Sequence, residues 1–165
     1  MPSTRLLTAQ KFISYFATLD KPLLESLLHE SYHHEFAPKS ITNLPGPLNK
    51  AGFLAHGGGL IDLMTGFPVY ATEYIESESG NQVVVRATSK ARFREEVKDE
   101  GIPAEEWEFA GEYVFMFTMD GSGEKIVRTV EFLDSIATMR MISLMQRASG
   151  NLAKAKAKQG EAALE

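Results

Sequence analysis

One stretch near the C-terminus decides the fold of this chain: Lys125-Ile126-Val127-Arg128-Thr129-Val130-Glu131-Phe132-Leu133-Asp134. Its β-branched and apolar residues predict a β-strand, whose side chains point alternately to two faces. Glu131 then shares a face with Val127, Thr129 and Leu133, and it is the single charged residue on that face between Val127 and Leu133. A carboxylate in an apolar interior must find hydrogen-bond partners or take up a proton, and such a group suits acid–base catalysis. The alternative is that Glu131 faces water or pairs with an arginine of a neighbouring strand.

Two further predicted strands indicate which face is the interior one. In the strand predicted for residues 82–95, the odd positions are mostly apolar or small, whereas the even positions include several basic residues. In the strand predicted for residues 107–119, the odd positions are aromatic residues and a glycine, and acidic residues occupy even positions. A basic strand beside an acidic one forms favourable pairs on an exposed face, and Arg128 extends this lattice. We therefore predict that the odd face of every strand, including Glu131, is inside. Small residues opposite large aromatic ones on that face predict a hollow, although a filled aromatic core is the alternative.

The pattern before the strands is helical. Apolar residues at helical spacing predict three helices, and the second and third begin after the capping residues Asp20 and Asn49. The order of elements predicts an α+β fold, in which three N-terminal helices and a C-terminal helix lie on one face of a curved antiparallel sheet. The predicted helices are 8–19, a short one after Asp20, one from Asn49 through Met64, and 137–148; the predicted strands are 32–39, 69–76, 82–95, 107–119 and 125–134.

Length and composition set the domain organisation. The 165 residues are enough for one domain with a real core, which we assign to residues 1–150. Residues 151–165 are rich in alanine and lysine, so we expect a frayed tail. Its last residues, Ala162-Ala163-Leu164-Glu165, resemble an expression-vector remnant.

Charge and residue usage exclude several function classes. The formal net charge is −5, so we expect no nucleic-acid partner. The chain has no cysteine, which excludes disulfides and thiol catalysis. No apolar run approaches 18 residues and the N-terminus has no signal-peptide core, so we expect no membrane association and a cytoplasmic location.

Three side chains are candidates for catalysis. Glu131 is the first, as a general acid or base. Tyr113 lies on the same face of the neighbouring strand, where its hydroxyl can stabilise an enolate, although a core tyrosine bonded to Glu131 alone is the alternative. His56 shares the apolar face of the third helix with Phe53 and Leu60, and it is either a second acid–base group or a core histidine.

A metal site is not predicted. His33, His34 and Glu35 are adjacent in a predicted strand, so their side chains alternate between faces and only one histidine can enter a given pocket. The spacing indicates no third ligand. His34 shares its phase with Phe36, and both are predicted to line the pocket, whereas His33 faces solvent.

The stretches Glu106-Trp107-Glu108-Phe109-Ala110-Gly111-Glu112-Tyr113-Val114-Phe115 and 128–135, placed after three helices, resemble the nuclear-transport-factor-like cone fold. The resemblance is closer to the SnoaL-like proteins of fungal secondary metabolism, and it covers about residues 5 to 148. The superfamily includes ketosteroid isomerase, scytalone dehydratase and polyketide cyclases. What the resemblance implies is a sheet in the form of a cone-shaped half-barrel, a conical pocket between sheet and helices, acid–base chemistry without a cofactor, and frequent dimers built on the sheet.

Fungal members of this group look like isomerases, cyclases or rearrangement catalysts for polyketides, meroterpenoids and indole alkaloids. In them a carboxylate on the last strand works with tyrosines on the preceding strand and an arginine on the first strand. Glu131 and Tyr113 match the carboxylate and one tyrosine. Phe109 stands where a second tyrosine is expected, and Pro38 lies in the region of the arginine, so this chain departs from the pattern of the rearrangement.

The sequence thus favours an isomerase, cyclase or dehydratase without cofactor, acting on a mid-sized apolar molecule. A non-catalytic binding protein and an interaction module with a filled core are the alternatives. We also expect a homodimer through the outer sheet face, because that face carries apolar residues among its charges. The predicted substrate-binding residues are Trp107, Phe109, His34, Phe36, Phe53, Phe16, Phe115 and Thr129.

Overall fold

The computed structural model describes residues 1–162 of the chain. It contains four α-helices and eight β-strands in an α+β arrangement. It also contains two short 3-10 helices, Glu95–Val97 and Ala104–Trp107. The elements are, in chain order, α1 (Thr4–Tyr15), α2 (Lys21–Leu27), β1 (Leu28–Ala37), β2 (Leu48–Asn49), α3 (Lys50–Ile61), β3 (Met64–Gly66), β4 (Val69–Ser77), β5 (Gln82–Lys90), β6 (Arg92–Phe93), β7 (Ala110–Met119), β8 (Ile126–Leu133) and α4 (Ser135–Ala162).

Each helix begins at a polar capping residue. The backbone N–H of Leu23 donates to Asp20 Oδ1 over 3.1 Å, and that of Gly52 donates to Asn49 Oδ1 over 2.9 Å, as predicted for α2 and α3. Helix α1 begins earlier than predicted because Ser3 caps it. Asp134 caps α4, since its Oδ1 accepts from the N–H of Ile136 over 2.9 Å. These caps satisfy N–H groups that have no partner within their helix.

The main sheet has six strands in the order β2-β1-β8-β7-β5-β4. Strands β4, β5, β7 and β8 form the predicted antiparallel meander. The sheet is mixed rather than wholly antiparallel, because β1 runs parallel to β8. This pairing sets Phe36 beside Glu131 and His34 beside Thr129. The curved, open sheet and the helices that cover it are consistent with the cone fold that the sequence predicts.

The predicted inner face is correct for the middle of the sheet. The odd positions of β5 and β7 are buried, and so are Thr129, Glu131 and Leu133 of β8. Two parts of the prediction are wrong. In β4, the register shift between Ala71 and Glu73 reverses which side chains face inward, so the odd positions beyond it no longer do. In β8, a register shift at Met119 of the neighbouring strand turns Ile126 into the core, although the sequence predicts it on the outer face.

Two apolar clusters hold the layers together. The larger one lies between α1, α3 and the sheet, where Phe12 contacts Phe117 with ring centroids 4.9 Å apart. The smaller one packs α4 against β3, β6 and the second 3-10 helix. The sequence predicts a frayed tail from residue 151, but α4 continues through Ala162. The alanines and lysines of this segment favour helix, and the Asn151 side chain donates to the carbonyl of Val97 over 3.0 Å.

Within residues 1–162 no helix is long and apolar enough to cross a membrane. The interpretation of residues 162–165 as a vector remnant falls almost wholly on residues outside the described ones.

Candidate active site

A cavity of about 120 Å³ opens between the inner sheet face and the helices α1, α3 and α4. Its wall is mainly aromatic and aliphatic, with a small number of polar groups. Helix α4 supplies one side of it, so the C-terminal helix belongs to the cavity as much as the sheet does. The lining residues are Tyr15, Phe16, Phe36, Leu44, Phe53, His56, Gly57, Leu60, Met64, Phe67, Phe109, Tyr113, Glu131, Leu133, Thr138, Met141, Ile142 and Met145.

Glu131 reaches this cavity from β8. The residue is 7% exposed, and it lies between Phe36 of β1 and Phe115 of β7 in the strand register. No lysine or arginine is among the described residues that line the cavity. The arginine partner that was the alternative for Glu131 is therefore not found in the described part of the chain. Arg128 instead pairs with Glu35 on the outer face over 2.9 Å.

His34 is the polar neighbour of Glu131. Its ring is fully buried, and Nε2 lies 3.2 Å from Glu131 Oε2. The distance suits a hydrogen bond but the direction does not, and Nε2 has no well-aligned partner in the described residues. The ring is held in place by stacking on Phe53, with centroids 4.1 Å apart and planes 16° from parallel. The contact is therefore a close polar pair rather than an aligned hydrogen bond.

The buried polar contacts continue beyond His34. Its Nδ1 lies 2.8 Å from the Tyr32 hydroxyl, which donates to Thr129 Oγ1 over 2.9 Å. Burial raises the pKa of Tyr32, so the phenol keeps its proton. Thr129, Tyr32, His34 and Glu131 thus form a chain of polar contacts that ends at the cavity. Such a chain orients its last member, since each side chain restricts the rotamers of the next.

Tyr113 presents its hydroxyl on the same wall. Ser89 donates to the Tyr113 oxygen over 2.9 Å, which leaves the phenol proton free to point into the cavity. Burial raises the pKa of Tyr113 well above its usual value, so it acts as a neutral donor. The Tyr113 hydroxyl can lie over residue 111 because that residue is glycine; a Cβ there would be 2.6 Å from the hydroxyl. The hydrogen bond to Ser89 differs from the alternative in which Tyr113 binds Glu131 alone.

Tyr15 is a cavity residue that the sequence analysis missed. It ends α1, and burial raises its pKa to about 12. Its hydroxyl passes over α3 at Gly57, where a Cβ would approach it to 2.5 Å. Gly57 belongs to a run of three glycines inside α3. Because glycine disfavours helix, such a run indicates close packing against a neighbouring side chain. The packing of α1 on α3 decides which tyrosine fills the space at Gly57. A local sequence pattern does not reveal this packing.

His56 lines the cavity from α3. Its ring lies 5.5 Å from that of Phe36 between centroids. Burial lowers the pKa of His56, while the nearby Glu131 works in the opposite direction and His34 lowers it further. The imidazole is therefore neutral at neutral pH, with one nitrogen that donates and one that accepts.

The predicted site residues fall into two groups. Glu131, Tyr113 and His56 meet at the cavity together with Phe16, Phe36, Phe53 and Phe109. The other four do not line it. His34 and Thr129 belong to the polar chain, and Phe115 packs beneath, stacked on Tyr113 at 5.7 Å.

Trp107 requires the largest correction. The sequence analysis placed it at the start of a strand, but it ends a 3-10 helix and its ring enters the smaller apolar cluster. There it meets Phe93 edge-on at 5.2 Å, and the Arg147 guanidinium lies 5.1 Å above its ring. The strand begins at Ala110 because Gly101 and Pro103 favour a turn rather than extended pairing.

A metal site is not found among residues 1–162, since no group of three or more metal-ligating side chains comes together there. His33 lies on the outer side of β1, with Nε2 3.3 Å from Glu35 Oε1. Its neighbour His34 points inward, as the alternation of a strand requires.

Comparison of the sequence with protein-family models and with characterised proteins finds no significant match. Solved structures do match. AusH from Aspergillus nidulans is 24% identical, with a TM-score of 0.66 over 81% of this chain and 88% of that one. The pinacolase BvnE from Penicillium brevicompactum is 19% identical, with a TM-score of 0.73 over 88% of this chain and 96% of that one.

A third match extends beyond fungi. A protein from Jannaschia that is described as a SnoaL-like polyketide cyclase is 15% identical, with a TM-score of 0.61 over 82% of this chain and 89% of that one. Similarity at these identities establishes the fold alone. The chain therefore has the SnoaL-like, nuclear-transport-factor-like cone fold found in cyclases and a pinacolase, as the sequence predicted.

Proposed function

We propose that this protein is a cofactor-independent isomerase, cyclase or dehydratase that acts by acid–base catalysis on an apolar small molecule. The observation that carries the proposal is the position of Glu131, a 7% exposed carboxylate on the wall of an aromatic cavity that also contains the Tyr113 hydroxyl. Structural neighbours named as a pinacolase and a polyketide cyclase support the reaction class. They do not identify the substrate.

The arrangement assigns a role to each polar group. Glu131 takes a proton from carbon next to a carbonyl, or gives one to a leaving hydroxyl. Tyr113 donates to the carbonyl oxygen and stabilises the negative charge that develops on it. His56 is a neutral imidazole on the opposite wall, where it can relay the proton from protonated Glu131 back to the ligand, accepting it at one nitrogen and releasing one from the other. The chain from Thr129 to His34 keeps the carboxylate in one orientation.

The proposed chemistry differs from the arginine-dependent rearrangement that the resemblance to fungal members implies. Pro38 follows β1 and does not line the cavity, and Phe109 brings no hydroxyl to it. We therefore propose proton transfer at carbon, rather than a rearrangement that depends on an arginine and a second strand tyrosine.

The size of the cavity limits the ligand. Sites for drug-sized molecules are commonly about 300 Å³ or more, whereas this one encloses about 120 Å³. Phe109 also borders a surface groove of about 430 Å³, so displacement of its ring would extend the site outward. Met141 and Met145 form the α4 side, and methionine adapts to new shapes more readily than branched residues.

The small volume favours a second candidate function. A cavity of about 120 Å³ suits a non-catalytic protein of the same fold that binds a small ligand without converting it. The two candidates make different predictions. An enzyme converts a bound molecule and loses that activity in Glu131→Gln, whereas a binding protein shows affinity and no product.

The test is a screen of small polyketide, terpenoid and alkaloid ketones and alcohols, followed by mass spectrometry and deuterium exchange in heavy water. Wild type is compared with Glu131→Gln and with Glu112→Gln, a control on the exposed face of β7. The proposal expects exchange or conversion by wild type and by the control, with a loss of about 10²-fold or more in Glu131→Gln. Full activity of Glu131→Gln on a confirmed substrate would rule out the acid–base role.

A further inference from the structure

The cavity wall carries one carboxyl group and no lysine or arginine among its described lining residues. Glu131 is the single acidic side chain of the wall, and no lysine or arginine joins it. His56 is neutral because burial lowers its pKa. The remaining polar groups, Tyr15, Tyr113 and Thr138, are uncharged hydroxyls. An anionic ligand would meet the carboxylate without a cation to balance it, at a high desolvation cost.

The wall is also rich in aromatic rings. Seven of the lining residues are phenylalanine or tyrosine, and aromatic faces attract cations through the negative potential of the ring. Their arrangement is fixed by mutual contact, since Phe67 stacks on Phe109 at 6.0 Å and meets Tyr113 edge-on at 6.3 Å. The seven rings are Tyr15, Phe16, Phe36, Phe53, Phe67, Phe109 and Tyr113.

The carboxylate itself has an unused oxygen. Glu131 Oε2 faces His34 at 3.2 Å. None of the side-chain hydrogen bonds between described residues involves Oε1, so this oxygen is available to a ligand. A positively charged nitrogen placed there would meet one carboxylate oxygen in a cavity whose wall contains seven aromatic rings. This is the combination by which proteins bind alkylammonium groups.

We propose that the ligand of this cavity is an apolar molecule with a positively charged nitrogen, a protonated or quaternary alkylamine, which Glu131 and the surrounding rings hold. This inference deepens the proposed function and rests on it, because it identifies the substrate class of the same site. It excludes carboxylates, phosphates and sulfonates as ligands of the cavity.

Three compounds of nearly equal shape test the inference. They are 4-hydroxyphenyltrimethylammonium, 4-tert-butylphenol and 4-hydroxybenzenesulfonate, which share a phenol and differ in the charge of a tetrahedral head group. Affinities are measured by isothermal titration calorimetry and by ligand-observed NMR. The proteins are wild type, Glu131→Gln and the outer-face control Glu112→Gln, each checked for folding by circular dichroism.

The proposal expects wild type to bind the ammonium compound about tenfold more tightly than the neutral one, and the sulfonate more weakly than either. Glu131→Gln should abolish the preference for the cation, and Glu112→Gln should retain it. A preference that persists in Glu131→Gln would contradict the role of the carboxylate.

The remaining outcomes separate this inference from the proposed function. If wild type binds the neutral compound as tightly as the ammonium compound, the charged-nitrogen inference is wrong, while an apolar small-molecule site stands. Tightest binding of the sulfonate would likewise overturn the inference. If none of the three compounds binds at millimolar concentration, both the inference and the small-molecule site are contradicted. The comparison within wild type does not depend on the stability of any variant.

Discussion

The imidazole of His34 lies against the carboxylate of Glu131, with Nε2 and Oε2 3.2 Å apart and both residues buried. Glu131 lines the cavity and His34 does not, so the histidine supports the carboxylate from the protein side. The two residues are 97 positions apart and meet because β1 runs parallel to β8. It is the main polar contact that Glu131 makes on the side away from the cavity.

We expect His34→Gln to lower the free energy of unfolding by about 3 kcal/mol, because the change removes the ring that stacks on Phe53 and contacts Glu131 and Tyr32. Urea denaturation measures the loss. The control is His33→Gln on the outer side of the same strand, which should change the value by less than about 0.5 kcal/mol.

A double-mutant cycle with Glu131→Gln then isolates the interaction. The loss from His34→Gln should be smaller by about 1 kcal/mol or more when Glu131 is already glutamine. Equal losses in the two backgrounds would mean that His34 stabilises the core through packing alone.

We predict that the hydroxyl of Tyr32 contributes to the free energy of unfolding through its two buried polar contacts. Tyr32→Phe retains the ring and removes the contacts to His34 and Thr129, so we expect a loss of about 1–3 kcal/mol. Thermal and urea unfolding provide the measurement. Tyr70, which is 49% exposed, supplies the control, and Tyr70→Phe should be close to neutral. A neutral Tyr32→Phe would show that the polar chain adds no stability.

Two adjacent glycines of α3 should respond differently to the same substitution. Gly58→Ala meets nothing within 4 Å and replaces a poor helix former, so we expect a gain of about 0.5–1 kcal/mol. Gly57→Ala brings the same improvement in helix propensity, but its Cβ would lie 2.5 Å from the Tyr15 hydroxyl and must displace that hydroxyl. We expect Gly57→Ala to be less stable than Gly58→Ala by about 1–3 kcal/mol. Equal stabilities would show that Tyr15 does not occupy this gap.

His56 should make stability depend on pH. Burial lowers its pKa in the folded protein below the value of about 6.5 for an exposed histidine. The unfolded chain therefore binds this proton more readily, and the resulting loss of stability begins as pH falls through about 6.5 and increases until the folded pKa is reached. In urea titrations between pH 7.5 and 5, wild type should lose more stability than His56→Gln. Parallel curves would contradict the shift.

Dimer formation through the outer sheet face stays a prediction. That face exposes Met116 and Phe132, and Phe132 is 46% exposed. We expect wild type to sediment at twice the monomer mass at tens of micromolar and Phe132→Glu to sediment as a monomer. Leu7→Glu changes an exposed apolar residue on α1 and should remain dimeric. A monomeric wild type would refute this interface.

Much of the fold was predictable because its signals are local. The alternation within β5, β7 and β8 depends on neighbouring residues alone, and it correctly placed Glu131 and Tyr113 on the inner face. The capping residues Asp20 and Asn49 likewise act within one turn of their helices. Errors appeared where the chain departs from regular pairing, at the bulge after Ala71 and at Trp107.

The sequence by itself determined that a carboxylate and a tyrosine enter an aromatic interior, since strand periodicity and hydrophobic burial need no knowledge of distant residues. Only the tertiary structure decided what surrounds them. The parallel pairing of β1 with β8 brings His34 to Glu131, and the packing of α1 on α3 brings Tyr15 into the cavity. The length and position of α4 close its last side. These contacts join residues far apart in the chain, and their geometry follows from the packing of whole elements rather than from any local pattern.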